Sequence, residues 1–216
     1  MFITLEGPDG SGKTRQIHPL AEFITEQGYS VFTAREPGGT SIGDEVREIL
    51  MNLENTSMHP TTETLLFCSA RAQLVEEVLK PRLEKGEIVL LDRYADSTLA
   101  YQGYGHQNDL DLIRSVLQFA TGGLKPDISF LLDIDPQIGL RRRQEGGGEW
   151  NRLDAYQLAY HRRVRQGYLK MAKNEPKRWR IVDASQPPDV VQSNLRELLL
   201  LCLSNLSYYK NIKRQK

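Results

Sequence analysis

The chain has 216 residues, and 28 Lys and Arg balance 28 Asp and Glu, so its formal net charge is zero. That length suits one domain with a large core, and the charge balance argues against a general nucleic-acid binder, which would carry a basic excess. Cys68 and Cys202 lie far apart with no metal-ligand grouping, the longest apolar run (198–203) is too short to cross a bilayer, and no signal-peptide pattern opens the chain, so a cytoplasmic protein with no membrane partner and no structural zinc is expected.

The first element is FITLE (2–6), apolar and β-rich, and GPDGSGKT (7–14) follows it directly. After that, Ile17, Leu20, Ala21 and Ile24 recur at helical spacing, so strand, glycine-rich loop and helix come in the order a phosphate loop requires. In G-x-x-x-x-G-K-[ST] the backbone N–H groups converge on phosphate oxygens, the lysine reaches the β- and γ-phosphates, and the hydroxyl ligates Mg²⁺. Here those parts are Gly7, Gly12, Lys13 and Thr14. Four more β-rich runs follow: SVFTAR (30–35), EIVLLD (87–92), DISFLLDI (127–134) and RWRIVD (178–183), each separated by segments long enough for helices. The expected fold is α/β, a three-layer phosphate-loop NTPase with a five-stranded parallel sheet flanked by helices. Ligands of such sheets sit beyond the carboxyl ends of the strands, which here continue as GPDGSGKT, REPGGT, DRYADSTLAYQG and DASQ. QEGGGEWN (144–151) lies between an Arg-rich helix end and a helix expected from about Leu153, and its glycines suit a movable segment. A single domain is expected over 1–208 with a lid at 141–152, and the basic segment 209–216 as a frayed tail. His18, His59 and His161 are expected at the surface, and His106 near the acceptor entrance.

A phosphate loop alone permits an ATPase, a GTPase, a small-molecule kinase or a passive nucleotide-binding module. Guanine-specific switches carry N-K-x-D, which is absent here, and the only D-x-x-G lies inside the phosphate loop. A kinase for a phosphorylated acceptor needs a second anion site and a basic segment that neutralises the transferring phosphoryl. Arg93, with Arg35 and Arg47, supplies planar guanidinium groups suited to a phosphate at the strand ends.

The motifs GPDGSGKT, REPGGT, LLFCSARAQLVEEVLKP, DRYADSTLAYQGYG and FLLDIDPQIGLRRR, in this order and spacing, closely resemble the bacterial-type thymidylate kinases from Met1 to about Leu195. The resemblance implies a nucleoside monophosphate kinase fold, transfer of the γ-phosphoryl of Mg-ATP to dTMP, and a homodimer. It implies that ATP phosphates lie on Gly7, Pro8, Asp9, Gly10, Ser11, Gly12, Lys13 and Thr14, with Arg141 or its neighbours 142 and 143 against adenine opposite the DASQ backbone. For the acceptor it implies Phe67 flat on thymine, Arg71 donating to a base carbonyl, Ser97, Thr98 and Gln102 beside them, Asp9 at the sugar 3′-hydroxyl and Tyr101 where a ribose 2′-hydroxyl would fall. Glu36 would help hold the acceptor loop, Pro37 would follow a cis peptide, and Thr14 and Asp92 would organise Mg²⁺. Lys13 and Arg93 would grip the transferring phosphoryl from opposite sides.

Two departures from the family pattern stand out. Arg15 replaces the usual Thr or Ser after the loop, and Gly147 replaces a basic lid residue while the loop itself has Gly10 instead of an arginine. The catalytic lid charge is therefore expected from Arg152 or Arg143. The alternatives are a kinase for another deoxynucleotide or a catalytically silent nucleotide-binding protein.

Overall fold

A computed structural model describes residues 1–146 and 150–214, with side chains as far as Ser204. Five strands form: β1 (Phe2–Glu6), β2 (Val31–Arg35), β3 (Ile88–Asp92), β4 (Ile128–Asp133) and β5 (Trp179–Asp183). All are parallel in the order β2-β3-β1-β4-β5. Each lies within the run read from sequence. β1 and β3 are buried along their whole length, as expected of strands covered on both faces. Ile3 and Leu5 of β1 face helices α1 (Lys13–Glu26) and α9 (Pro188–Arg214), packing with Leu20, Ile24, Leu195 and Leu199. Phe2 faces the other way, into Leu74, Leu79, Val89, Leu91 and Tyr94.

That second face is built by α3 (Pro60–Leu74), which continues through a π-helical turn (Val75–Leu79) into α4 (Lys80–Glu84), and by α5 (Ala95–Thr98), α6 (Leu110–Thr121) and α8 (Leu158–Asn174). Between α5 and α6 the chain is π-helical over Leu99–Gly105, a widened turn that is common at functional sites. α2 (Ser41–Met51) starts at Thr40, whose hydroxyl accepts from the Gly43 amide at 3.0 Å. The Glu36–Pro37 peptide is cis.

Two elements differ from the sequence reading. The helix expected near Leu153 begins at Leu158, because Asn151 and Asp154 turn the chain first: Asn151 Oδ1 accepts from the Leu153 amide at 2.9 Å and Asp154 Oδ2 from the Asn151 amide at 3.0 Å. Such side-chain bonds to backbone offer an alternative to helix. At the other end, α9 carries helical backbone to Arg214 where a frayed tail was expected. No Gly or Pro follows Pro188 to stop it. The expected lid glycines Gly147 and Gly148, with Glu149, lie outside the described residues.

The sheet positions the site by ending its strands level: Leu5 pairs with Asp92, Arg35 with Asp92, and Asp133 with Asp183. The phosphate loop leaves β1 and is seated on α7 (Pro136–Glu145) through two glycines. A Cβ on Gly10 would run into the Gly139 carbonyl, and one on Gly139 into the Asp9 carbonyl. Neither backbone can yield cheaply. Gly139→Ala is therefore expected to cost about 1–3 kcal/mol through overpacking, a fall of roughly 3–10 °C in Tm for a domain of this size. A thermal melt checks this, and an unchanged Tm would mean that the loop is not seated on the helix.

Candidate active site

One cavity of about 940 Å³ runs along the carboxyl ends of the strands, from the phosphate loop and Ser185–Pro188 at one end to Phe67, Arg71 and Gln102 at the other. At the loop, Gly7, Gly10 and Gly12 have φ of 143°, 74° and 87°, conformations that cost glycine nothing and turn successive amides inward. Lys13 opens α1 and is 6% exposed. Its ammonium donates to the Gly7 and Pro8 carbonyls at 2.9 Å each and to Ser11 Oγ at 3.2 Å. Burial, with the charge of Arg93 beside it, pulls the ammonium down to about 8. The Thr14 hydroxyl donates to Asp92 Oδ2 at 2.6 Å, so the two expected metal-organising oxygens are brought together.

Asp9, Arg93 and Tyr101 meet between the two ends of the cavity. Arg93 Nη2 donates to Asp9 Oδ1 at 2.5 Å and to the Tyr101 hydroxyl at 3.1 Å, and that hydroxyl donates to Asp9 Oδ2 at 2.7 Å. Burial raises the Asp9 carboxyl, but the charges of Arg93 and Lys13 outweigh it and hold the group below the usual carboxylate value. Arg93 itself has φ 72°. Beneath it lies Glu6, fully buried, whose Oε1 accepts from the Tyr94 amide at 2.8 Å and whose Oε2 accepts from Ser97 Oγ at 2.6 Å and from the Tyr168 hydroxyl at 3.2 Å. Burial, with Asp96's charge, pushes this carboxyl up to about 8. Sequence reading passed over Glu6; the available signal was a carboxylate at the end of a strand otherwise wholly apolar save for Thr4. It also put His161 at the surface, whereas His161 is 2% exposed with Nδ1 3.9 Å from Asp9 Oδ2. The residue falls on the packed face of α8 beside Tyr160, Val164 and Tyr168.

At the acceptor end Arg71 is 1% exposed and held by five contacts. Its Nε donates to Glu36 Oε2 at 2.8 Å and Oε1 at 3.1 Å, Nη2 to Glu36 Oε2 at 2.5 Å and the Tyr94 carbonyl at 3.1 Å, and Nη1 to Thr98 Oγ1 at 2.9 Å. A guanidinium has five N–H groups, so among the described residues one Nη1 proton is left for a ligand. Phe67, Ser97, Thr98, Pro37, Arg35 and Arg47 also line the cavity. Arg47 donates to the Pro37 carbonyl at 3.0 Å, tying α2 to the REPGG turn. Arg15 is exposed at the cavity rim.

The basic residues of the lid region divide differently from expectation. Arg143 lines the cavity, 27% exposed, with Nη2 2.7 Å from Asp154 Oδ2. Arg152 does not line it: it is buried against α3, with Nη2 2.6 Å from Glu63 Oε2 and Nε donating to the Leu50 carbonyl at 3.2 Å. An arginine so near a carboxylate with no solvent exposure pairs with that carboxylate before anything farther off. Arg141 points to solvent, 67% exposed, because it lies on the outer face of α7. Its neighbour Arg142 takes the place expected for it, donating to the Ala184 and Ser185 carbonyls at 2.8 and 3.0 Å. Among the described residues no group of three or more His, Cys, Asp or Glu forms a metal cluster, and no helix is long and apolar enough to cross a membrane.

A five-stranded parallel sheet with a phosphate loop at one end of its cleft and an arginine-lined pocket at the other defines a phosphate-loop kinase of the nucleoside monophosphate kinase fold. Comparison narrows the class. The thymidylate kinase family model matches residues 5–195, and the thymidylate kinase of Roseiflexus castenholzii is 50% identical over 211 residues, with 92% of each chain covered. That of Deinococcus radiodurans is 47% identical over 90% of this chain and 94% of its own. The crystal structure of thymidylate kinase from Ehrlichia chaffeensis is similar with a TM-score of 0.76 at 33% identity, covering 93% of this chain and 98% of that one. The chain belongs to the thymidylate kinase family.

Removing Arg71 would leave the Glu36 carboxylate buried and unpaired. Arg71→Met is expected to cost about 3–5 kcal/mol, a fall of roughly 6–20 °C in Tm. Glu36→Gln with Arg71→Met together should recover part of that, and a double variant no more stable than the single one would contradict the pairing.

Proposed function

We propose that the protein transfers the γ-phosphoryl of Mg-ATP to dTMP, giving dTDP and ADP. The observation that carries this reading is the continuity of the cavity: a phosphate loop lines one end, Phe67, Arg71 and Gln102 line the other, and Arg93 lines it with them. Thymine would lie on Phe67, with Arg71's remaining Nη1 proton directed at a base carbonyl. The acceptor phosphate would meet Arg35, Arg47 and Arg93. On the donor side the loop amides and Lys13 would hold the ATP phosphates, and the adenine would pass between Arg142 and the 185–188 backbone.

Phosphoryl transfer leaves the protein little covalent chemistry, so rate comes from alignment and charge neutralisation. Lys13 and Arg93 approach the reacting oxygens from opposite sides, and Arg143, which already lines the cavity, is the lid arginine that supplies the remaining charge. Arg152 serves the acceptor wall through Glu63. Thr14 Oγ1 and Asp92 Oδ2, 2.6 Å apart, are hard oxygen donors of the kind Mg²⁺ accepts alongside phosphate oxygens and water. Bound there, the ion would neutralise developing charge between the β- and γ-phosphates. Buried free thiols at Cys68 and Cys202 support a reducing, cytoplasmic setting. Exposed Phe119, Leu112 and Leu65 on α6 and α3, 89%, 64% and 53% exposed, support a homodimer built on that face. The charge balance supports no nucleic-acid partner.

A coupled ADP-release assay over dTMP, dUMP, dCMP, dGMP, UMP and thymidine tests the reading: dTMP should be preferred, and faster turnover of dCMP or UMP would overturn it. The same panel separates two roles of Tyr101. Tyr101→Phe keeps the ring and should leave the ribose/deoxyribose ratio unchanged while weakening the support of Asp9. Tyr101→Ala opens the space and should raise relative activity on UMP.

Lys13 also sets a pH dependence. Its ammonium titrates near 8 in place of 10.5, and kcat/KM for ATP reports ionisations of the free enzyme. That parameter should therefore fall as pH rises through about 8, because a neutral amine no longer attracts phosphate. The alkaline limb of kcat should lie higher, since bound phosphate favours the charged form. Coincident limbs in the two profiles would contradict this.

A further inference from the structure

Glu63 lies in α3 with no solvent exposure, and four donor groups surround it. Its Oε1 accepts from Gln102 Nε2 at 2.8 Å and lies 3.1 Å from His106 Nε2. Its Oε2 accepts from the Tyr156 hydroxyl at 3.1 Å and pairs with Arg152 Nη2 at 2.6 Å. Burial opposes its charge, but the hydrogen bonds of His106 and Gln102 and the charge of Arg152 outweigh it, and the carboxyl lies below its ordinary value. At neutral pH it is an acceptor only.

Gln102 lines the cavity and Glu63 does not. Turning the Gln102 amide end for end would set its oxygen against Glu63 Oε1 with no proton between them. The amide is therefore locked with Nε2 toward Glu63, and Oε1, which accepts from no group among the described residues, is the end left for the cavity. Arg71, with its one unused Nη1 proton, lines the same cavity.

We propose that Glu63 is a specificity-positioning residue of the acceptor site: by locking the Gln102 amide it makes the cavity that holds Arg71's free donor present an acceptor as well, the pair of groups an imide edge needs. This rests on the dTMP reading. Thymine and uracil offer N3–H beside a carbonyl, so both match. Cytosine offers a bare N3 beside an amino group, and both of its positions would face like against like. A flipped Gln102 amide would donate to that N3 and relieve one of the two mismatches, leaving the amino group against Arg71; Glu63 forbids that flip. Arg152 and Tyr156, on the other carboxylate oxygen, hold the latch in place without touching Gln102.

The test uses the full-length enzyme, with KM for dTMP and dUMP and Ki for dCMP as a competitor of dTMP. In Glu63→Gln the partner amide can present either end, so dTMP/dCMP discrimination should fall roughly tenfold or more, the scale of one mispaired buried polar contact. The dTMP/dUMP ratio should not move, because both bases keep the imide edge. A merely structural role would weaken all three acceptors together and overturn the proposal. Arg152→Ala keeps the Glu63–Gln102 bond and should keep the discrimination, whatever its effect on kcat. Should Glu63→Gln alone fail to fold, Glu63→Gln with Arg152→Gln removes the orphaned charge and carries the same expectation. Unchanged dTMP/dCMP discrimination in a folded variant would overturn the role of Glu63 alone; wild-type enzyme inactive on dTMP would overturn the substrate reading itself.

Discussion

Arg93, the first residue past β3, has φ 72°, a left-handed backbone that costs an L side chain about 1–2 kcal/mol. Its amide still completes the ladder from β1, donating to the Leu5 carbonyl at 3.0 Å. The next amide, Tyr94, finds no ladder partner and is met by the Glu6 side chain at 2.8 Å. Glu6 thus ends the sheet at this point and holds the turn in its strained conformation from below. The guanidinium is thereby folded back over β1 toward the Gly7 carbonyl and Asp9, within the cavity. A strained residue over-determined by its surroundings is pre-organised, so no binding energy goes to aligning it.

The same device recurs around the acceptor pocket. Arg71 with Glu36 and Arg152 with Glu63 are ion pairs almost closed to solvent. Desolvation cancels much of the attraction in such pairs, so they are poor sources of net stability. Their value is directional. Each commits most of a rigid fork or carboxylate to fixed partners and leaves defined valences at the cavity wall, the Nη1 proton of Arg71 in one case and the orientation of the Gln102 amide in the other. A looser hydrophobic wall would bind a base as well but would read its edge less well.

At the donor end the constraint is steric. Gly10 and Gly139 allow the phosphate loop to lie on the α7 backbone, and α7 carries Arg142 and Arg143 from that contact toward the cavity. The phosphate loop, Arg142 and Arg143 are thus positioned from one helix. Arg143 is partly exposed and lines the cavity while its guanidinium holds the buried Asp154 carboxylate. Arg152 is sealed against Glu63, which suits a wall better than a moving part.

The amino-acid sequence by itself determined the sheet, its parallel sense and the phosphate loop, because strand periodicity, glycine placement and the Lys-Thr pair are local properties. Motifs whose spacing is shared with a family also singled out Phe67, Arg71, Arg93, Tyr101 and Gln102, which line one cavity. Only the tertiary structure decided where Glu6, Glu63 and His161 lie, and which of the basic residues at 141–143 and 152 face the cleft. Side-chain partners such as Glu6 with Tyr94, Glu63 with Gln102, or Arg152 with Glu63 lie tens of residues apart in sequence. A charged residue takes its direction from the nearest opposite charge in space, and its neighbours along the chain do not specify where that is.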